Sequence, residues 1–213
     1  MIESVRRAIV GLGNPGPRYV GTPHNVGFVV LDAVASRLGI ALDRRDHGAI
    51  WGRGSREELG EIVLAKPQRY MNRSGGPARA VLEECGVAVP DVLVVHDDLD
   101  LDLARVKLKR GGGAGGHRGL ESLLEELGDA SFCRLRIGIG RPPAGDAADY
   151  VLGPFPSGQE ALVADALGRS AEAALSWLSV GMDAAMNRVN AAAARPGSPE
   201  ELPAPSARGP VER

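Results

Sequence analysis

The segment from Val10 to Phe28, VGLGNPGPRYVGTPHNVGF, leaves the chain few options. It starts where the apolar run Ala8-Ile9-Val10 ends. Pro15, Pro17 and Pro23, interleaved with Gly11, Gly13, Gly16 and Gly21, break both helix and strand up to Val26. From there Val26, Val29, Val30, Ala33, Val34 and Leu38 recur at helical spacing, and Gly39 ends the run. The segment is therefore strand, shaped loop, helix. Its loop carries Asn14, Tyr19, His24 and Asn25, and polar side chains delivered at the mouth of a strand by a constrained loop are a usual place for chemistry.

Two architectures compete for these glycines. Gly11-Leu12-Gly13-Asn14-Pro15-Gly16 has the G-x-G-x-x-G spacing of a dinucleotide-binding turn. That motif needs its glycines to open a helix whose N-terminus holds a pyrophosphate, and an acid at the end of a second strand. Pro15 and Pro17, followed by Tyr19, Gly21 and Pro23, forbid such a helix, and Asp32 sits inside a helical pattern instead of at a strand end. The dinucleotide reading is set aside on those grounds.

The rest of the chain alternates strands and helices. Residues 6–12 read as a first strand, and 47–53 with 61–66 as a hairpin around a polar turn. Pro67 closes that pair. Ser74 with Pro77 suits the start of a helix running to about Cys85, which Gly86 stops. Asp91 to His96 is a short apolar strand, and 105–109 a basic one. Gly111 to Gly119, GGGAGGHRG, is a flexible loop before a helix from Leu120 to Leu127, and Phe132 to Gly140 is another strand. Ser157-Gly158-Gln159-Glu160 matches a capping box opening a helix to about Val180, with a further helix over Met182 to Ala194. The expectation is an α/β fold: a single domain over residues 1–194, with a twisted mixed β-sheet flanked by helices. From Arg195 the Pro-rich sequence RPGSPEELPAPSARGPVER lacks a core pattern and reads as a disordered tail.

At 213 residues the chain suits one domain with some tail, and 44% hydrophobic with 24% charged residues is ordinary for a globular protein. No apolar run is long enough for a membrane span, and MIESVRRAIV lacks a signal-peptide core, so a cytoplasmic location without membrane partners is expected. Cys85 and Cys133 form neither a metal spacing nor a disulfide framework and read as small core residues.

The net charge of −2 conceals an uneven distribution. Leu103 to Leu120 carries Arg105, Lys107, Lys109, Arg110 and Arg118 without an acid, and Ser131 to Arg141 carries Arg134, Arg136 and Arg141 without one. Local field, not net charge, governs phosphate attraction. Arg105, Lys107 and Lys109 alternate, which places them on one side of a strand and marks a phosphate-binding face.

Three strand ends carry polar side chains: Asn14 and His24, then Tyr70 and Asn72, then Asp97. Ligands of α/β sheets gather beyond the carboxyl ends of strands, so these loops are expected to converge. A carboxylate beside a histidine fixes its tautomer and stabilises the imidazolium, and Asp97 is the best-placed partner for His24. Asn14 and Asn72 can each donate and accept, which suits a carbonyl and a neighbouring N–H. No nucleophile accompanies the pair, since Ser74 reads as a helix cap. Water is left as nucleophile, with His24 as its general base. The acidic run HDDLDLD lacks a calcium-loop pattern and reads as a solvated loop, so no metal is expected. His47, His96 and His117 read as structural or surface residues, with His117, beside Arg118, within reach of a phosphate.

Five runs, GLGNPGPRYVGTPHNVGF, YMNRSG, VVHDDLDL, KLKRGGGAGGHRGL and FCRLRIGIGRP, together resemble the bacterial-type peptidyl-tRNA hydrolase family, in order from about Val5 to Asn190. The resemblance implies a monomeric α/β enzyme without cofactor. Such an enzyme hydrolyses the ester joining a peptide to the 3′ end of tRNA, recycling tRNA from aborted translation. On matching positions His24 takes the place of the catalytic base and Asp97 of the acid that supports it. Asn14 takes the place of the side chain that distinguishes N-blocked from free aminoacyl groups, and Asn72 of a substrate-amide contact. Asn25, next to His24, is counted with the substrate-binding residues. Tyr19 and Tyr70 fall at positions associated with the tRNA end, where an aromatic face stacks on a base. Lys107, Lys109 and Arg136 correspond to contacts with the tRNA backbone. One departure stands out: the family usually has Asn after the glycine-loop His, and here the residue is Arg118, which donates but cannot accept. It suits a phosphate or the ribose end instead. A further basic position that some members place after the RIGIG strand has no counterpart in AGDAAD. The alternative is a non-catalytic RNA-binding relative serving as an RNA-processing adaptor, which the intact set His24, Asp97, Asn14 and Asn72 disfavours.

Overall fold

Ala8, Ile9 and Val10 are apolar in succession, as a strand covered on both faces must be. In the computed structural model, which describes residues 6–142 and 145–192, they lie inside a six-stranded sheet. Strand β1 (Arg6–Gly11) pairs in parallel with β3 (Gly60–Pro67) on one side and β4 (Val92–Asp98) on the other. β6 (Cys133–Gly138) continues the parallel set beyond β4. The edges run antiparallel: β2 (Ala49–Arg56) along β3, and β5 (Val106–Arg110) along β6. The order is β2-β3-β1-β4-β6-β5, a mixed sheet in a single α/β domain.

Alternation along the strands divides the core in two. Ile9, Leu93, Val95, Leu108 and Leu135 pack under α1 (Val26–Leu38) and α5 (Glu160–Ala192). Ala8, Val10, Val92, Val94 and Phe132 pack under α2 (Gly75–Cys85) and α3 (Arg118–Leu127). β5 is an exposed edge that needs cover. Asn190, near the end of α5, supplies it by accepting from the Leu108 N–H and donating to the Leu108 carbonyl, both at 3.0 Å.

The first turn of α1 determines where the loop before it can reach. A Cβ on Gly27 would stand 2.4 Å from the Val95 carbonyl oxygen and 2.5 Å from the Leu12 backbone, and one on Gly11 would stand 2.4 Å from the Gly27 carbonyl oxygen. Two facing glycines therefore let helix and strand ends touch, and the 3₁₀ turn Pro23–Asn25 is pressed against the end of β4. Gly11 to Gly16 does not open a helix. The next ordered turn is the 3₁₀ segment Pro17–Tyr19, as the prolines require.

Several local expectations are corrected. Ser74 does not cap α2: its hydroxyl donates back to the Met71 carbonyl at 2.9 Å, and the Gly75 N–H is met by Ser122 Oγ of α3. α3 starts at Arg118, before Leu120, because His117 is its N-cap. Glu160 reaches back to the Gly158 N–H at 2.9 Å, one residue short of the Ser157 that a capping box would use. A short helix α4 (Ala147–Leu152) occupies a segment left without an element, whereas the break expected between Val180 and Met182 is present: Gly181, with φ of 75°, is non-helical and kinks α5 there. The tail from Arg195 lies outside the described residues.

Candidate active site

The loops after β1, β3, β5 and β6 meet the end of β4 around a cleft of about 850 Å³. Its floor holds Asn14, His24 and Asp97, all buried, while Tyr70 and Asn72 stand at the rim. Three loops expected to converge do so.

Asp97 is the hub. His24 Nδ1 lies 2.9 Å from each of its carboxylate oxygens, and His117 Nε2 lies 2.9 Å from Oδ1. The tautomers follow from the partners. His117 Nδ1 accepts from the Gly119 and Leu120 N–H groups at 3.1 and 3.3 Å, so its proton is on Nε2 and is donated to Asp97. An ionised carboxylate only accepts, so His24 must also donate, from Nδ1. Its Nε2 is left with a lone pair. Burial would raise the Asp97 carboxyl, but the field and hydrogen bond of His117, then those of His24, hold it well below the usual carboxylate range.

His24, Asp97 and His117 are also the one group among the described residues whose atoms lie close enough, within 4.8 Å of one another, to consider as metal ligands. The donor chemistry does not fit. A metal on His117 Nε2 would leave Nδ1 needing a proton, and Nδ1 already accepts from two backbone N–H groups.

Asn14 is oriented by two neighbours. Its Oδ1 accepts from the Met71 N–H at 2.7 Å. Asn25 grips its backbone from the other side, accepting from the Asn14 N–H at 2.8 Å and donating to the Asn14 carbonyl at 3.0 Å. Asn14 therefore offers the cleft its Nδ2–H₂ group, a donor. Asn25 is buried and does not line the cleft, so it acts on Asn14 and not on a ligand directly. Tyr19 is buried in the wall under the Arg18 guanidinium, 4.5 Å from its ring centroid, and Tyr70 is mostly exposed.

The basic residues share one face by register: Lys107 pairs Arg136, and Lys109 pairs Arg134. The acidic run does not simply face solvent. Asp98 holds Arg136 at 2.6 Å, and Asp100 holds Arg141 at 2.5 Å. Lys107 and Lys109 make no ion pair with a described residue, and Lys109 lines the cleft where Lys107 does not. Arg118 is exposed at the rim and paired with Glu121 at 3.1 Å.

Sequence reasoning missed His117 as a member of the cluster. The available signal was its position between a glycine loop and a helix, where an N-cap acceptor belongs. His96, expected as a structural or surface residue, also borders the cleft. It is buried, its Nδ1 donates to the Asp97 carbonyl at 2.6 Å, and its ring meets the edge of His117 at 5.0 Å. Burial and the His117 field push it down to about 3.

A mixed α/β sheet whose strand ends bring a carboxylate-oriented imidazole and an amide donor into one cleft has the parts of a hydrolytic site. The family model for peptidyl-tRNA hydrolase matches residues 8–197. The peptidyl-tRNA hydrolase of Moorella thermoacetica is 50% identical over 184 residues, covering 85% of this chain and 96% of that protein. That of Symbiobacterium thermophilum is 46% identical over 188 residues, covering 86% and 98%. Among solved structures, the peptidyl-tRNA hydrolase of Acinetobacter baumannii matches with a TM-score of 0.81 at 36% identity, covering 87% of this chain and 94% of the other. The chain belongs to the peptidyl-tRNA hydrolase family.

Proposed function

We propose that the chain cleaves the ester of N-blocked peptidyl-tRNA with His24 as general base, releasing peptide and free tRNA. The observation that carries this reading is the 2.9 Å approach of His24 Nδ1 to both Asp97 oxygens, from which Nε2 follows as the basic nitrogen of the ring. Nε2 takes a proton from water as the water oxygen attacks the ester carbonyl carbon. The tetrahedral oxyanion needs a donor, and the side-chain amide of Asn72 is a neutral one on this wall. On collapse, the C–O bond to the terminal ribose breaks and the imidazolium returns its proton to the ribose oxygen. Asp97 stabilises the imidazolium in between, and His117 keeps Asp97 in place.

Selectivity for a blocked α-nitrogen has a simple origin in this geometry. Asn14 Oδ1 is committed to Met71, so only its amide donor faces the substrate. A peptide carbonyl next to the scissile residue accepts from it. A free α-ammonium would confront it donor to donor, with its charge uncompensated. Tyr70 is exposed at the rim to stack on a terminal base, and Lys107, Lys109, Arg136 and Arg118 form the basic approach for tRNA. The reading has a single catalytic domain through residue 194, acting as a cytoplasmic monomer without metal. No helix among the described residues is long and apolar enough to cross a membrane.

The test is turnover of N-acetyl-aminoacyl-tRNA and of unblocked aminoacyl-tRNA, by the protein and by His24→Ala. The blocked substrate should be cleaved preferentially, and the variant should lose about 10²–10⁴-fold in kcat. RNA binding without turnover would support an adaptor instead, and equal cleavage of both substrates would remove the role given to Asn14.

A further inference from the structure

Arg134 stands on β6, on the face that carries Lys109 and Arg136, and it belongs to the basic stretch read as phosphate-binding. It is nevertheless 97% buried, with a relative exposure of 3%. Its guanidinium lies 4.8 Å from the Phe132 ring centroid and makes no ion pair with a described residue. Its NH1 donates to the Gly113 carbonyl and its NH2 to the Gly112 carbonyl, and Nε has no partner. A buried guanidinium without a carboxylate is costly to keep, and here both terminal nitrogens are spent on two consecutive carbonyls of one loop.

That loop is 111–116, in which all but Ala114 are glycine. Glycine gives up more backbone freedom on ordering than any other residue, so such a segment needs an external hold. It leads directly to His117. The His117 N–H donates to the Ala114 carbonyl at 3.0 Å, and its ring then caps α3 and donates to Asp97. A shift of the loop would carry His117 away from the carboxylate that orients His24.

We infer that Arg134 is a positioning residue: by clamping the Gly112 and Gly113 carbonyls it holds the glycine loop so that His117 keeps Asp97 in register with His24. The inference rests on the catalytic reading above. It separates Arg134 from Lys109, its pairing partner across the β5–β6 ladder, which remains a tRNA contact.

The two roles give opposite kinetics. Arg134→Lys and Arg134→Met should each lower kcat on N-acetyl-aminoacyl-tRNA by about 10- to 100-fold, because lysine has a single flexible nitrogen in place of the planar fork that holds the two carbonyls in fixed geometry, and methionine has no donor. KM and the salt dependence of KM should stay at wild-type values, with Tm within a few degrees. Lys109→Ala should instead raise KM and flatten its salt dependence. Gly113→Ala adds a Cβ that meets nothing within 4 Å, so it stiffens the loop without a clash. In the Arg134→Lys background it should recover part of the lost kcat. Wild-type kcat in Arg134→Lys, or a raised KM with unchanged kcat in Arg134→Met, would overturn the assignment. Amide exchange in the wild-type protein decides the matter even if the variants do not fold. The His117, Gly119 and Leu120 amides should be protected, and exchange at the rate of an unstructured chain would refute the clamp. An absence of wild-type turnover would count against the functional reading alone.

Discussion

Asp97 accepts from two imidazoles, and they are not equivalent. His117 is locked as a donor by two backbone N–H groups, whereas His24 is a donor only because it faces a carboxylate. Asp97→Asn uses that difference. The new amide turns its oxygen to His117, which is held as a donor, and so presents NH₂ at the other position 2.9 Å from His24 Nδ1. Accepting from that NH₂ puts the His24 proton on Nε2, where the ring is no longer a base. The variant should fold normally and lose about 10³–10⁴-fold in kcat, as in other triads given the wrong tautomer. Steady-state kinetics alongside a thermal melt checks it, and near-normal kcat would refute the tautomer argument. The pairing of His24 with Asp97 was legible in the sequence, because a loop histidine and a strand-end aspartate have a shared destination in this fold class. His117 was not legible, because its role needs a helix N-terminus and a carboxylate brought together from separate strands. Ser74 misled for a related reason: its hydroxyl had a nearer acceptor in the Met71 carbonyl than any amide of the helix it precedes.

Among the elements, the contact of α1 with β1 and β4 positions the catalytic turn. Gly27→Ala would place a methyl 2.4 Å from the Val95 carbonyl oxygen and 2.5 Å from Leu12 N and O, all of them backbone atoms that cannot rotate away. Helix and sheet must separate, at a cost of about 1–3 kcal/mol or more. His24 moves with the turn, so kcat should fall further than the loss of stability alone explains. Urea denaturation and kcat measured on the same preparation separate the two effects, and wild-type values of both would show that the close approach is not needed. Helix α1 was legible to the residue, since Gly39 ends it with φ of 59° and the apolar repeat is unbroken. The short helix α4 was not, because its six residues, Ala147–Leu152, give no periodicity to read.

For the whole molecule, buried titratable groups set the acid limit. His96 ionises at about 3 in the folded chain and near 6.5 in the unfolded one. Between those values the unfolded state holds one more proton, so stability falls as pH drops, by about 1.4 kcal/mol per unit below 6.5. From pH 7 to pH 5 this group alone should remove about 2 kcal/mol, measured by urea unfolding, and His96→Gln should flatten that dependence. An unchanged slope in the variant would place the effect elsewhere. Asp97, whose carboxyl is depressed, adds a further loss once pH falls below the ordinary aspartate range. The architecture was legible at this scale from the alternation of strands and helices. The charge arrangement was legible only in part, because Asp98 and Asp100 of HDDLDLD are far in sequence from Arg136 and Arg141 but paired with them in space.

Histidine-selective ¹⁵N NMR, at the pH where turnover is fastest, addresses the His24 tautomer directly. It should show His24 with its proton on Nδ1 and a bare Nε2, and His117 with the reverse. A His24 protonated on Nε2 and bare at Nδ1 would contradict its role as the base.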